Sequence, residues 1–472
     1  MRISDPLPGT PGLISTFFDL GACGYTADEY VVSGTATAFE HAGPVTQDGR
    51  WKARPAGTAP YTTRIVVYRP ADAAAFDGTV VVEWLNVSSG ADAPAVWLMT
   101  HRQLLRAGHA WVGISAQRDG VEGGSLFADL PGDWSSITLP PLKESDPRRY
   151  AELAHPGNRY SYDIFAQLGA ALRDAGTAAT LGLPTPQRII AAGESQSAAS
   201  LVTFINAVAP LNQVYDGYLV HGRPGLPLGL ASGSRTESEP VPARVRTDGP
   251  APILILQSET DVVGLLDAVG SRQPDDQRVR LWEIAGAAHA DTYTLGASFT
   301  DSGRLPPDEL AALLVPRADP LGIPFPAPIN SGPQQHYVAQ AAVEALRRWI
   351  RDGVAPPQAQ RLELAEPASS DGSHPLRTDG HGNALGGVRT PWVDVPTAVL
   401  SGLVPAGAPA PAALFGSTLP LPGLAELYPA GLPDYAPLFR AAAEEAVDAG
   451  FLLRDDLAEI IATAATAFRT PG

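Results

Sequence analysis

The chain reads as an α/β protein: a mostly parallel central sheet with helices on both faces, and three observations predict it. Short, nearly continuous apolar runs recur along the 472 residues, such as GTVVVEWLN (78–86), HAWVGISAQ (109–117) and APILILQSETD (251–261). Strands buried on both faces read this way. Segments of helical length lie between such runs, and strand–helix alternation builds parallel sheets. A hydrophobic content of 44% supplies a sizeable core, while 47 Gly and 46 Pro require many turns and long loops.

Taken in order, EYVVSGTATAF (29–39) and TTRIVVYRP (62–70) carry alternating or β-branched residues and predict two strands ahead of 78–86. Asp92-Ala93-Pro94 predicts a helix start and Gly108 its stop. The strand 109–117 follows, then a Gly-, Pro- and Asp-rich loop to about Asn158. In YSYDIFAQLGAALRDAG, Ile164, Phe165, Leu168 and Leu172 share one helical face, and Gly176 marks the stop. Ile189 to Ala192 reads as a buried strand running into an apolar helix. VYDGYLVHG (214–222), APILILQSETD and VRLWEIAGAAH (279–289) supply three more strands. HYVAQAAVEALRRWIRDG (336–353) is a helix ended by Gly353 and Pro356-Pro357.

Residues 1–360 thus form the core with its N-terminal strands, and two long loops, about 223–250 and 296–335, are expected to act as lids. Residues 361–472 are loop-rich, with short helices near 435–449 and 455–468. No charged or Ser-rich linker precedes them, so an appendage packed on the same core is expected.

The formal net charge of −17 argues against nucleic acid or an anionic membrane as partner and leaves a small-molecule substrate. Cys23 is the only cysteine, so no intramolecular disulfide forms. MRISDPLPGTPGLIS lacks a basic segment followed by an apolar one, so a cytoplasmic location is expected; a trimmed, secreted form would read the same. No run is long enough to span a bilayer, and oligomeric state is left open.

The chemistry centres on GESQS (193–197). A serine on a sharp strand-to-helix turn needs small residues two before and two after it, because both approach neighbouring backbone. Gly193 meets that need; Ser197 stands where glycine is usual, with Ala198-Ala199 keeping the next turn slim. The alternative is an ordinary Gly-Ser loop. Downstream the chain offers a carboxylate and then a histidine, each after a further strand, the order such a nucleophile uses. Ser195 is the candidate nucleophile, His289 in AGAAHAD the candidate base, and Asp261 the preferred acid, with Glu259 two residues away as the alternative. A serine hydroxyl attacks only once an imidazole takes its proton, and a carboxylate orients that imidazole. The oxyanion donors expected are the backbone N–H of Gln196 and that of Asn86 or Val87 in the loop EWLNVSSGADAP. His221, ending GYLVH, is a candidate substrate contact. His289 with Asp291 lacks a third ligand at metal spacing, so no metal is expected. TDGHGNALGGVRTP (378–391) lacks the Lys-Ser/Thr of a phosphate loop and reads as turns near the site mouth, and no cofactor is required.

VEWLNVSSG, WVGISAQRDGVEG, HPGNRYSYDIFAQ, GESQSAASL, DGYLVHGR, QSETDV, AGAAHAD and GNALGGVRTPWVDVP together span nearly the whole chain. In these stretches it resembles the bacterial and fungal α/β hydrolase domain proteins, a branch of the serine hydrolases. The resemblance implies the α/β-hydrolase fold, a triad on Ser195, Asp261 or Glu259, and His289, and tolerance of serine in the fifth elbow place. Gln117 and Tyr162 fall in these motifs as candidate pocket residues. A carboxylic ester hydrolase acting through an acyl-serine is the preferred function. An acyltransferase with the same triad and a non-catalytic ligand-binding protein on this scaffold are the alternatives.

Overall fold

In the computed structural model, which describes residues 1–125, 127, 131–231, 241–365 and 374–468, the apolar runs lie side by side in a nine-stranded sheet. Its strands are β1 (Arg2–Pro6), β2 (Tyr25–His41), β3 (Ala53–Pro70), β4 (Thr79–Trp84), β5 (Ala110–Ile114), β6 (Arg188–Glu194), β7 (Gly217–His221), β8 (Ile253–Ser258) and β9 (Val279–Ile284). They are arranged β1-β2-β3-β5-β4-β6-β7-β8-β9. The six from β5 to β9 in that arrangement are parallel, and β1, β2 and β3 join them antiparallel. β1 is a short polar edge strand that the pattern RISDP did not predict.

Alternation along the strands divides the core. Val80 and Val82 face one layer and Val81 the other. The first layer packs on α2 (Ser161–Leu172) and α3 (Gln196–Thr203), through Phe165, Leu168 and Leu201. The second packs on α1 (Ala95–Arg106) and α5 (Gln334–Asp352), through Trp97 and Leu346. Into this second layer Phe439 of α6 (Leu432–Asp448) and Ile460 of α7 (Leu457–Ala467) also insert. The segment beyond 361 therefore shares apolar contacts with the sheet. It also carries an antiparallel pair, β10 (Ala398–Ser401) with β11 (Ser417–Pro420).

Two local expectations are corrected, and the place of a third segment is fixed. Asp92 does not cap α1. Its carboxylate is drawn to the buried Arg64 guanidinium, at 2.9 Å, and to Ser115 Oγ. Arg64 also donates to Glu29 at 2.7 Å, so burying one cation recruits both acids. The first free N–H groups of α1, on Val96 and Trp97, instead donate to the Glu83 carboxylate at 2.8 and 2.9 Å. Gly176 is not a helix stop: α2 ends at Leu172, and a separate helix, Ala175–Thr180, starts where Asp174 accepts from Thr177 N–H. The Gly-rich run 378–391 lies along the outer edge of β9, where Val388 pairs with Ile284. Arg389 is engaged there by Asp379 and Asp394.

Among the described residues no helix is long and apolar enough to cross a membrane. Of the loop 223–250, residues 232–240 lie outside the described residues.

Candidate active site

β6 delivers the chain into a sharp turn and α3 carries it away, leaving Ser195 alone between them at φ 57, ψ −119. A side chain holds that conformation only where its surroundings impose it. The constraint is visible. Ser195 N–H donates to His221 O at 2.9 Å, and a Cβ on Gly193 would stand 2.9 Å from Ser197 O. Ser197, the residue in glycine's usual place, accepts from Glu194 N–H at 2.9 Å and donates to Glu194 O at 2.8 Å. Its hydroxyl closes the turn. The Ser195 hydroxyl makes no capping bond to α3, so it is not spent on the helix.

β8 runs into a short helix, α4 (Glu259–Val263), whose first three residues each grip a different part of the site. Asp261 accepts from Ser258 N–H at 2.6 Å through Oδ2, and its Oδ1 lies 2.6 Å from His289 Nδ1. Thr260 Oγ1 accepts from His289 N–H at 3.2 Å and donates to Gly402 O at 2.6 Å. Glu259 accepts from Gly286 N–H at 2.6 Å and from Gly402 N–H at 2.8 Å. Both of its oxygens are thereby committed to backbone, and burial pushes its pKa up to about 7. Glu259, the alternative acid, therefore does not meet the imidazole: it fastens the histidine loop to the C-terminal segment. Gly222, at φ 57, leaves the space the ring occupies, since a Cβ there would lie 3.1 Å from His289 Cε1.

The other ring nitrogen has a partner that the sequence did not announce. Glu194 Oε1 lies 3.0 Å from His289 Nε2. Asn86 Nδ2 donates to Glu194 Oε2 at 3.1 Å and to Glu194 O at 3.0 Å. Burial raises the Glu194 pKa to about 7 against the opposing pull of the imidazole. Burial alone would lower the His289 pKa, but the carboxylates of Glu194 and Asp261 outweigh it and raise it to about 9. The signal for Glu194 was present: an acidic residue in the elbow, with its backbone fixed by the same turn that fixes Ser195.

The oxyanion expectation is partly corrected. Asn86 N–H is paired with Ala93 O at 3.0 Å and cannot serve. Val87 N–H meets the Gln196 side chain at a long 3.4 Å, and Gln196 N–H opens α3, where helix geometry supplies no acceptor. His221 is buried beneath the elbow, its carbonyl bound to Ser195 and its pKa lowered by burial to about 4. Gln117 accepts from Trp84 Nε1 at 3.0 Å and ties the loop after β5 to the end of β4. Tyr162 donates to Gly229 O at 3.0 Å from within the core. None of these three lines the cavity at Ser195.

That cavity, of about 340 Å³, brings Ser195, His289 and Glu194 to one wall. Most of the remaining lining is apolar, with Met99, Phe127, Ile137, Leu139, Leu414 and Phe415, while Ser88, Ser89, Ser136 and Thr294 add hydroxyl groups. The described lining comes from the loop after β4 with the start of α1, the loop after β5, the segment after β9 and the C-terminal segment, and no described residue of the two loops expected to be lids lines it. From 296–335, Phe325 and Ile329 pack behind Leu414 and Phe415, supporting the wall without lining it. Among the described residues no group of three or more His, Cys, Asp or Glu is arranged to hold a metal ion.

Solved structures overlap this chain in part. A serine hydrolase without a lid from Xanthomonas campestris is 14% identical, with a TM-score of 0.28, covering 53% of this chain and 83% of its own. Fungal esterases from Rhizomucor miehei match at 11% identity and TM-score 0.26, over 54% of this chain and 75% of theirs. A carboxylesterase from Lactobacillus plantarum matches at 14% and 0.25, over 43% and 68%. No curated protein matches. The family model for the alpha/beta hydrolase domain matches residues 3–462, and by that match the chain belongs to the α/β hydrolase domain family.

Proposed function

We propose that the chain is a serine hydrolase that cleaves carboxylic esters of small, largely apolar molecules. The observation that carries this reading is the strained Ser195 sharing one cavity wall with an imidazole whose far nitrogen is 2.6 Å from Asp261. In the proposed cycle, Ser195 Oγ attacks the ester carbonyl carbon as His289 Nε2 takes its proton. The tetrahedral oxyanion is met by Gln196 N–H and by Val87 N–H once the Gln196 side chain gives way. Collapse expels the alcohol, which receives the proton from Nε2, and leaves the acyl-serine. Water, deprotonated by the same nitrogen, then releases the acid and restores Ser195. Asp261 holds the ring tautomer and stabilises the imidazolium throughout.

Each cycle begins with a neutral imidazole, so the Glu194 contact to Nε2 must yield to the serine proton. The apolar walls favour an acyl or alcohol portion of a few carbons or one ring, which fits a cavity at the small end of ligand sites. A series of aryl esters of increasing acyl length tests this. Activity present in the wild type, lost in Ser195→Ala and falling once the acyl chain outgrows the cavity is the expected result. A folded wild type inert toward the whole series would contradict the reading.

A further inference from the structure

The histidine loop is held from the far end of the chain. His289 N–H donates to Thr260 Oγ1 at 3.2 Å, and that hydroxyl donates in turn to Gly402 O at 2.6 Å. A hydroxyl has one proton, and giving it to the carbonyl leaves lone pairs for the incoming N–H. Gly402 N–H is taken by Glu259 Oε2 at 2.8 Å, so consecutive residues of α4 bind both backbone groups of Gly402. No side chain fits there. A Cβ on Gly402 would lie 2.6 Å from Ala287 O, from Glu259 Cβ and from Thr260 N.

A second tie lies beyond the ring: Ala290 N–H donates to Leu414 O at 2.9 Å. Gly402 directly follows β10, and Leu414 lies just ahead of β11, so one hairpin supplies both ties. Ser417 Oγ closes its base by donating to Leu403 O at 2.8 Å. The peptide groups on either side of the His289 Cα are therefore both fixed by this hairpin, the first of them through Thr260. Asp261, 2.6 Å from Nδ1, can set the tilt and tautomer of the ring. It does not set the position of the backbone that carries the ring.

We propose that Thr260 is a positioning residue for the reaction, its buried hydroxyl passing the place of Gly402 to His289. The hairpin of the C-terminal segment is then a working part of the active site rather than an appendage to it. This rests on the hydrolase reading above.

The test compares the wild type with Thr260→Val, which keeps the shape and removes the hydroxyl, and Thr260→Ser, which keeps the hydroxyl. In Thr260→Val, kcat on the aryl esters is expected to fall by about 10–100-fold with KM within about twofold. Thr260→Ser should recover most of that loss. The proton between His289 and Asp261 sits in a short, charge-assisted hydrogen bond and gives a low-field proton NMR signal that needs no substrate. That signal should move in Thr260→Val and stay in place in Thr260→Ser. Wild-type kcat and an unmoved signal in Thr260→Val would overturn the proposal even if the melting temperature fell, because the hydroxyl would then hold only the fold. A wild type inert toward esters would contradict the hydrolase reading alone, and the signal would still decide whether Thr260 sets the ring. If Thr260→Val does not fold, Thr260→Ala, which relieves any crowding, takes its place in both measurements.

Discussion

Glu194 Oε1 lies 3.0 Å from His289 Nε2, on the opposite ring nitrogen from the one at Asp261. The imidazole is thus held between two carboxylates, one on Nδ1 and one on Nε2, the nitrogen that takes the serine proton in the proposed cycle. Both favour the imidazolium, so the base should become available only at alkaline pH, on a limb of kcat/KM near the His289 value of about 9. Glu194→Gln removes one raising charge. The limb is then expected to move to lower pH by about one pH unit or more, with higher activity at neutral pH. A pH profile of kcat/KM for the two proteins checks this, and an unmoved limb would rule Glu194 out as the cause.

The two acids of QSETD should separate by readout. Asp261→Asn disturbs the ring tautomer and is expected to lower kcat by about 10⁴-fold with little loss of stability. Glu259→Gln turns an amide toward two backbone N–H donors and should cost about 1–3 kcal/mol, seen as a melting temperature lower by several degrees. Measuring kcat and melting temperature for both variants is decisive, since exchanged phenotypes would reverse the roles assigned to them.

Gly222→Ala places a methyl group 3.1 Å from His289 Cε1 on backbone at φ 57. The strain should cost about 1–3 kcal/mol, and the displaced ring should lower kcat by about 10²-fold, since small misplacements at a reacting centre are costly. Steady-state kinetics on the folded variant would show it; wild-type kcat would mean the ring does not depend on that space.

Ser197→Ala deletes both hydrogen bonds that close the elbow. A loss of about 1–2 kcal/mol is expected by chemical denaturation, together with reduced kcat as Ser195 loses its fixed backbone. Ser197→Gly should recover less stability than it recovers activity, because glycine suits the space but adds entropy to the unfolded chain.

The parallel strands were legible because each is buried on both faces and therefore almost uniformly apolar, as in VVVEW and ILILQ. The placement of Ser195, Asp261 and His289 after the C-terminal ends of such strands was legible, because those ends lie at one edge of a parallel sheet. What escaped depended on contacts between distant segments. Asp92 looks like a helix cap until Arg64, from β3, claims it. Asn86 looks like an oxyanion donor until its N–H pairs across the loop with Ala93. Glu194 looks like a spacer until Asn86 turns its carboxylate toward His289. The cavity walls were hidden for the same reason, since Leu414 and Phe415 arrive from the far end of the chain.

Whether Ser195 is the nucleophile activated by His289 is read out by a fluorophosphonate probe followed by peptide mass spectrometry. A single adduct on the peptide containing Ser195, absent in Ser195→Ala and slowed by about 10³-fold or more in His289→Ala, is the predicted result. An adduct on another residue, or a well-folded wild type that never labels, would contradict it.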